Sequence, residues 1–165
     1  MAAIDLNIGD LLTHESNKCA KLHLPELPLK VDAADVQGLV FRGYGALREC
    51  SYLLLRFNGA ARARSWLGKV REKVSRGEPS AGEAAVHVAF THEGLHALGL
   101  PALTLEGFSR SFIVGMTDEH TSRILGDVGD SAPECWEWGG PKTPRVHALL
   151  ILLAKSAPEL GALER

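Results

Sequence analysis

The sequence predicts an α+β fold, a ferredoxin-like sandwich in which an antiparallel sheet carries helices on one face. Three observations lead there. Ser51–Phe57 and Ala84–Thr91 alternate as strands do, an amphipathic helical period over Ala60–Arg76 runs between them as a crossover, and a third strand over Val146–Ala154 precedes the start of another helix. Strand, helix, strand, helical matter, strand and the start of a helix is the order of two right-handed crossover units. The last helix, only begun here, and the fourth strand are expected to be missing from this chain. The sandwich is therefore expected to be incomplete in this chain and completed by a partner chain or a carboxyl-terminal half.

Residues 1–34 are weakly patterned and broken by Pro25 and Pro28, which predicts an extended arm; residues 35–165 form the predicted domain. Along SYLLLRF, Leu53, Leu55 and Phe57 share one face and Tyr52, Leu54 and Arg56 the other, and Asn58-Gly59 turns the chain. In the crossover helix Ala63, Trp66, Leu67, Val70 and Val74 recur at helical spacing, and Gly77 with Pro79 ends the run. Its outer face carries Arg62, Arg64, Lys69, Arg71, Lys73 and Arg76, which reads as a solvated face because no aromatics are interleaved. In AAVHVAFT, Val86, Val88 and Phe90 share a face and His87 lies on the other. Two short helices are expected around Glu93–Leu98 and Ser109–Met116, followed by a Gly- and Pro-rich excursion from Thr117 to Arg145. VHALLILLA is apolar on both faces apart from His147, so cover is expected on both sides of the sheet. Ser156 with Glu159 reads as a capping box opening the final helix.

Composition narrows the function classes. A chain of 165 residues with 45% hydrophobic and 23% charged side chains can bury about 70% of its unfolded surface, which excludes disorder as the main state. A net charge of -2 argues against binding nucleic acid through bulk charge. The three cysteines, Cys19, Cys50 and Cys135, form no CxxC pair, which fits a reducing compartment. No export signal is visible, and the most apolar run, Ala148–Ala154, is far shorter than a membrane helix. A soluble cytoplasmic protein with no membrane or nucleic-acid partner is expected.

One catalytic pattern occurs. His92-Glu93-Gly94-Leu95-His96 matches HExxH, in which two histidines one helical turn apart hold zinc and the glutamate deprotonates the bound water. Three features argue against a zinc hydrolase. The third ligand position of the extended pattern is Ala102, the preceding strand places His92 at the start of its helix beside the positive end of the dipole, and Gly94 with Gly99-Leu100-Pro101 makes the scaffold short. His14, His23, His87, His120 and His147 show no ligand spacing and read as hydrogen-bonded or exposed side chains. Gly43-Tyr44-Gly45 lacks the third glycine of a dinucleotide fingerprint and precedes a strand. No metal ligand is assigned.

Several strings in order carry a family resemblance: DVQGLVFRGYG (Asp35–Gly45), YLLLRF (Tyr52–Phe57), VAFTHEGLHALGLP (Val88–Pro101), FIVGM (Phe112–Met116), LGDVGDSAPECWEWGGP (Leu125–Pro141) and Val146–Ala154. Together they resemble the amino-terminal half of dye-decolorizing peroxidases, which are heme enzymes that use hydrogen peroxide. The resemblance implies two ferredoxin-like domains, with heme b held mainly by the second. It also implies a heme-bearing carboxyl-terminal partner or half, and hydrogen peroxide with a dye or phenol as substrates. The family's distal GxxDG motif has no match, and its distal arginine and proximal histidine belong to the other half, so no catalytic or cofactor-binding residue is assigned here. Trp136, Trp138 and Tyr44 are candidate electron-relay sites, but structural packing, in which bulky aromatics anchor an irregular loop against a domain, is the preferred reading. Two alternatives stand beside this reading: a non-catalytic ferredoxin-like interaction module, and the HExxH zinc hydrolase.

Overall fold

The computed structural model describes residues 32–77 and 82–165. Most of the expected arm, residues 1–34, lies outside the described residues, as does Cys19. Three strands, β1 (Glu49–Leu55), β2 (Ala84–Phe90) and β3 (Ala148–Ala154), form one sheet in the order β1-β3-β2. β3 is antiparallel to both neighbours. β1 and β2 therefore run parallel to one another on either side of it, joined by helix α1 (Ala60–Lys73) as a crossover connection.

The register fixes which side chains share a face. Tyr52, Ile151 and His87 form one row, flanked by Cys50-Leu153-Ala85 and Leu54-Leu149-Ala89. The opposite face holds Leu53, Leu150 and Val88 with Ser51, Leu152 and Val86. Burial is concentrated on that second face, where Ala148, Leu152, Ala154 and Val86 are buried, and helix α6 (Ala157–Leu163) packs against β3 and β1. The first face is covered unevenly. Ala85 and His87 are buried at the β2 side, whereas Cys50, Tyr52 and Leu54 are exposed at the β1 side. The sequence expectation of cover on both sides thus holds only over β2.

Between β2 and β3 the chain forms α2 (His92–Ala97), α3 (Ala102–Glu106), α4 (Arg110–Val114) and α5 (Glu119–Leu125), followed by two 3-10 turns at Gly129–Ser131 and Pro133–Cys135. The sequence reading missed α3 and treated all of Thr117–Arg145 as irregular. Ordinary signals mark α5: the Asp118 carboxylate accepts the Thr121 N–H at its start, and Gly126 adopts the left-handed conformation at its end. Helix α1 ends at Lys73 rather than Arg76, because Val74 turns extended and Ser75 and Arg76 instead lie along the sheet, where Arg76 bridges Gln37. At α6 the expected capping box is absent. Ser156 occupies the cap position but its side chain caps nothing, and Pro158 in the first turn supplies the start signal. Among the described residues, no helix is long and apolar enough to cross a membrane.

Candidate functional site

The residues singled out by the HExxH pattern meet at the end of the sheet where β2 leaves and β3 enters. Thr91 accepts the Gly94 N–H with its hydroxyl oxygen, which starts α2 at His92 as the strand-to-helix junction requires. The Thr91 hydroxyl in turn donates to the Val146 carbonyl at 2.8 Å. His147 ties the strand ends together: its N–H donates to the Leu55 carbonyl at 2.8 Å and its carbonyl accepts the Thr91 N–H at 3.2 Å. Its ring Nδ1 accepts the Phe57 N–H at 2.9 Å, so that nitrogen carries no proton. Gly94 packs so closely on this backbone that a Cβ there would overlap the His147 carbonyl. The glycine of HEGLH is thus set by strand-to-helix packing.

The remaining members of the pattern are engaged elsewhere. The Glu93 carboxylate pairs with Arg145 at 2.6 Å, His92 packs edge-on against Phe112, and His96 is exposed. Among the described residues no three His, Cys, Asp or Glu side chains stand close enough to share a metal ion.

A second cluster lies at the β2 side of the sheet. His87 is 1% exposed, its ring packs at a tilt with its centre 4.9 Å from that of Tyr44, and neither of its ring nitrogens has a hydrogen-bond partner; the Tyr44 hydroxyl is likewise buried without one. The Arg42 guanidinium lies 5.4 Å from the Tyr44 ring centre. Burial, and secondarily the Arg42 charge, hold the His87 pKa below the ordinary histidine value. The sequence expectation for His87, a hydrogen-bonded or exposed ring, is therefore corrected. The chain from Gly38 to Tyr44 folds over this part of the sheet, a long-range contact that strand alternation alone does not reveal.

The outer edge of β2 is closed by side chains. The Gln37 carboxamide donates to the Val88 carbonyl at 2.8 Å and accepts the Val88 N–H at 2.9 Å. Ser75 does the same for Val86: its backbone N–H donates to the carbonyl at 2.8 Å, and its hydroxyl oxygen accepts the N–H at 3.1 Å. Nothing in the sequence pattern singled out either residue.

The three relay candidates are not brought into contact with one another. Tyr44 sits on His87, while Trp136 and Trp138 lie in the segment after the second 3-10 turn. The Trp136 indole N–H donates to the Ser131 carbonyl at 2.9 Å and pins that segment to itself. Trp138 is 62% exposed.

Two open clefts mark the described surface. One, of about 510 Å³, is lined by residues of α5 and the following turns, among them Glu119, Ser122, Arg123 and Asp127, and holds no His, Cys, Tyr or Met. The other, of about 220 Å³, lies over Phe57, Ala63 and Trp66 beside Arg56 and Arg62. Neither presents an axial ligand of the kind that holds heme iron. The described histidines nearest the sheet, His87 and His147, are buried beneath Tyr44 and engaged with Phe57 respectively. The residues lining these two clefts therefore do not fit a heme site.

No family model matches the sequence, and no curated protein does. The folded chain, however, superposes on solved structures. A DyP-type peroxidase from Anabaena sp. is matched with a TM-score of 0.66 at 19% identity, over 80% of this chain and 30% of that one. The fold is shared with DyP-type peroxidases. DyP2 from Amycolatopsis sp. is matched with a TM-score of 0.56 at 23% identity, over 70% of this chain and 25% of that one. This chain thus spans less than a third of the length of either DyP-type structure. At these identities the likeness concerns the fold: a three-stranded antiparallel α+β sheet of the ferredoxin-like kind.

Proposed function

We propose that this chain is the amino-terminal portion of a heme-dependent dye-decolorizing peroxidase, with heme b and the catalytic residues on a carboxyl-terminal portion. The observation that carries the proposal is the superposition on a DyP-type peroxidase over 80% of this chain but 30% of the other. In the bound state heme supplies the redox centre at which hydrogen peroxide, with two electrons and two protons, is reduced to water while a dye or phenol is oxidised. This chain contributes scaffold. Its own residues hold the strand ends through His147, close one sheet edge through Gln37 and Ser75, and leave Trp138 as the most exposed of the three aromatic relay candidates, with Tyr44 and Trp136 packed.

Gentle fractionation of the natural source tests the proposal. Peroxide-dependent dye decolorization and heme absorbance are expected to co-elute with this chain in a species larger than its 17.8 kDa. Elution of the chain as a single folded species, apart from both signals, would leave the non-catalytic interaction module.

A further inference from the structure

Residues Gly38–Tyr44 cross the buried end of the first sheet face as a strap with a firm root and a lighter hold beyond it. At the root the Gln37 carboxamide makes both of its bonds to Val88. The Gly38 N–H donates to the Ser75 carbonyl at 2.9 Å, and the Gly77 N–H to the Val36 carbonyl at 2.8 Å. Gly38 is packed so closely that a Cβ there would meet both the Arg76 carbonyl and the Tyr44 hydroxyl. Beyond the root, the Phe41 and Arg42 N–H groups both donate to the Gly38 carbonyl, so these bonds stay within the strap. Contact with the rest of the domain comes from the Phe41 ring against Gly77, a long bond of 3.4 Å from the Arg42 guanidinium to the Arg76 carbonyl, and Tyr44 over His87. The backbone on either side of Tyr44, at Gly43 and Gly45, is exposed and has open space around it.

His87, under the strap, is packed for one charge state. Its ring is buried, and neither its nitrogens nor the Tyr44 hydroxyl has a partner. From the strap it faces Tyr44, with the Arg42 guanidinium over the far side of the pair. Its neighbours on the same sheet face are Ala85 and Ala89 of β2, then Ile151, Leu149 and Leu153 of β3, with Tyr52, Cys50 and Leu54 of β1 beyond them. None of these groups is a carboxylate, and the charge that bears on the ring is that of Arg42. A neutral imidazole here forgoes hydrogen bonds, whereas an imidazolium would be a buried cation near a second cation with no acceptor for either N–H. Burial first, and the Arg42 charge second, hold its pKa below the ordinary value while the strap is closed. With the strap lifted, water reaches the ring and the ordinary value of about 6.5 applies.

We infer that Gly38–Tyr44 is an acid-released strap: protonation of His87 lifts Leu39–Tyr44 off the sheet while the root at Gln37 and Gly38 stays bonded. The proton binds the open form first, so the open population rises as pH falls below about 6.5, tenfold per pH unit for one proton, and levels off at the closed-form value. Opening bares Ala85, His87 and Ala89 and joins them to the part of the same face already exposed at Cys50, Tyr52 and Leu54. The device is local, because the bonds of Gln37 and Gly38 and the β3 ladder are not part of what His87 disturbs. It belongs to this chain's own residues and stands apart from the peroxidase reading.

Amide hydrogen exchange, corrected for intrinsic rates and read residue by residue between pH 7.5 and 5, tests the strap, with the His87 ring followed by NMR over the same range. Protection at Phe41 and Arg42 is expected to fall about tenfold for each pH unit below about 6.5, while the Val88 amide at the root and the β3 amides hold theirs. In His87→Leu the strap amides should stay protected throughout. Arg42→Leu, which leaves β2 untouched, removes one part of the cost of the buried proton and should shrink the rise in opening. Tyr44→Phe keeps the ring over His87 and should keep the pH dependence. Three results would overturn the inference: strap protection that does not change with pH, loss of protection in step at Phe41 and across β3, or the same pH dependence in His87→Leu. A His87 ring that titrates at its ordinary value while Phe41 and Arg42 remain protected would overturn it as well. None of these readouts involves heme, so a failure of the peroxidase reading would leave them standing.

Discussion

The Tyr44 and His87 rings pack at a tilt, 4.9 Å between centres, with the phenolic hydroxyl and both imidazole nitrogens buried and unpartnered. A buried polar group without a hydrogen bond costs stability, and this pair concentrates three such atoms where the Gly38–Tyr44 segment crosses β2.

Because burial and Arg42 depress the His87 pKa in the folded chain, the unfolded chain binds the proton first as pH falls. Stability from this group is therefore full above the ordinary histidine value of about 6.5 and is lost as pH drops from there toward the folded pKa. Thermal melts across this range should show the loss. In His87→Leu that part of the pH dependence should disappear, with stability at neutral pH unchanged or raised by about 1 kcal/mol. An unaltered acid limb in the variant would show that another group carries it.

Gly94→Ala places a methyl group against the His147 carbonyl. Overpacking of this kind costs about 1–3 kcal/mol, and the Thr91–His147 bond at the sheet end should open, seen as faster exchange of the Thr91 amide. A variant as stable as the parent would show that α2 shifts freely on the sheet, contrary to the packing described.

His147→Leu removes the acceptor of the Phe57 N–H. Leaving that donor unpaired in a half-buried position should cost about 1–3 kcal/mol in a denaturant titration. His147→Asn, which can present an acceptor, should recover part of the loss.

Gln37→Leu strips Val88 of both edge partners. The expected effect is a loss of about 1 kcal/mol for each bond, with exchange accelerated at the Val88 amide and unchanged at Val86, which Ser75 holds. A stability equal to the parent would mean that the carboxamide is replaceable by water at this edge.

For the aromatic loop, packing and electron relay give different outcomes. Trp136→Phe loses the bond to the Ser131 carbonyl and should lower stability by about 1 kcal/mol, whereas Trp138→Phe, exposed, should not. If the tryptophans only pack, peroxide-generated radical trapping in the complete enzyme will give the same yield in both variants. A signal lost in Trp138→Phe with stability intact would assign that residue to the relay.

The strands and the crossover helix were legible because their signals are local. SYLLLRF and AAVHVAF alternate, and the Ala63-Trp66-Val70 spacing is helical. The order of elements along the chain pointed to the ferredoxin-like class, which the antiparallel three-stranded sheet with its helices bears out. What escaped were effects of distant segments: Gln37 and Ser75 reach residues of β2, and Tyr44 covers His87. The HExxH string was readable as a strand-to-helix junction from the strand before it, yet the reason for its glycine, the approach of the His147 backbone, became visible only in the folded chain. Helix α5 was missed for a different reason. Its cap signals at Asp118 and Gly126 are present, but the surrounding glycines and prolines masked them.

A native mass spectrum of the protein gently purified from its source tests the central claim most directly. The account predicts this 17.8 kDa chain in complex with, or continuous with, a larger heme-carrying portion. The same chain appearing alone and without heme under conditions that preserve its fold would contradict it.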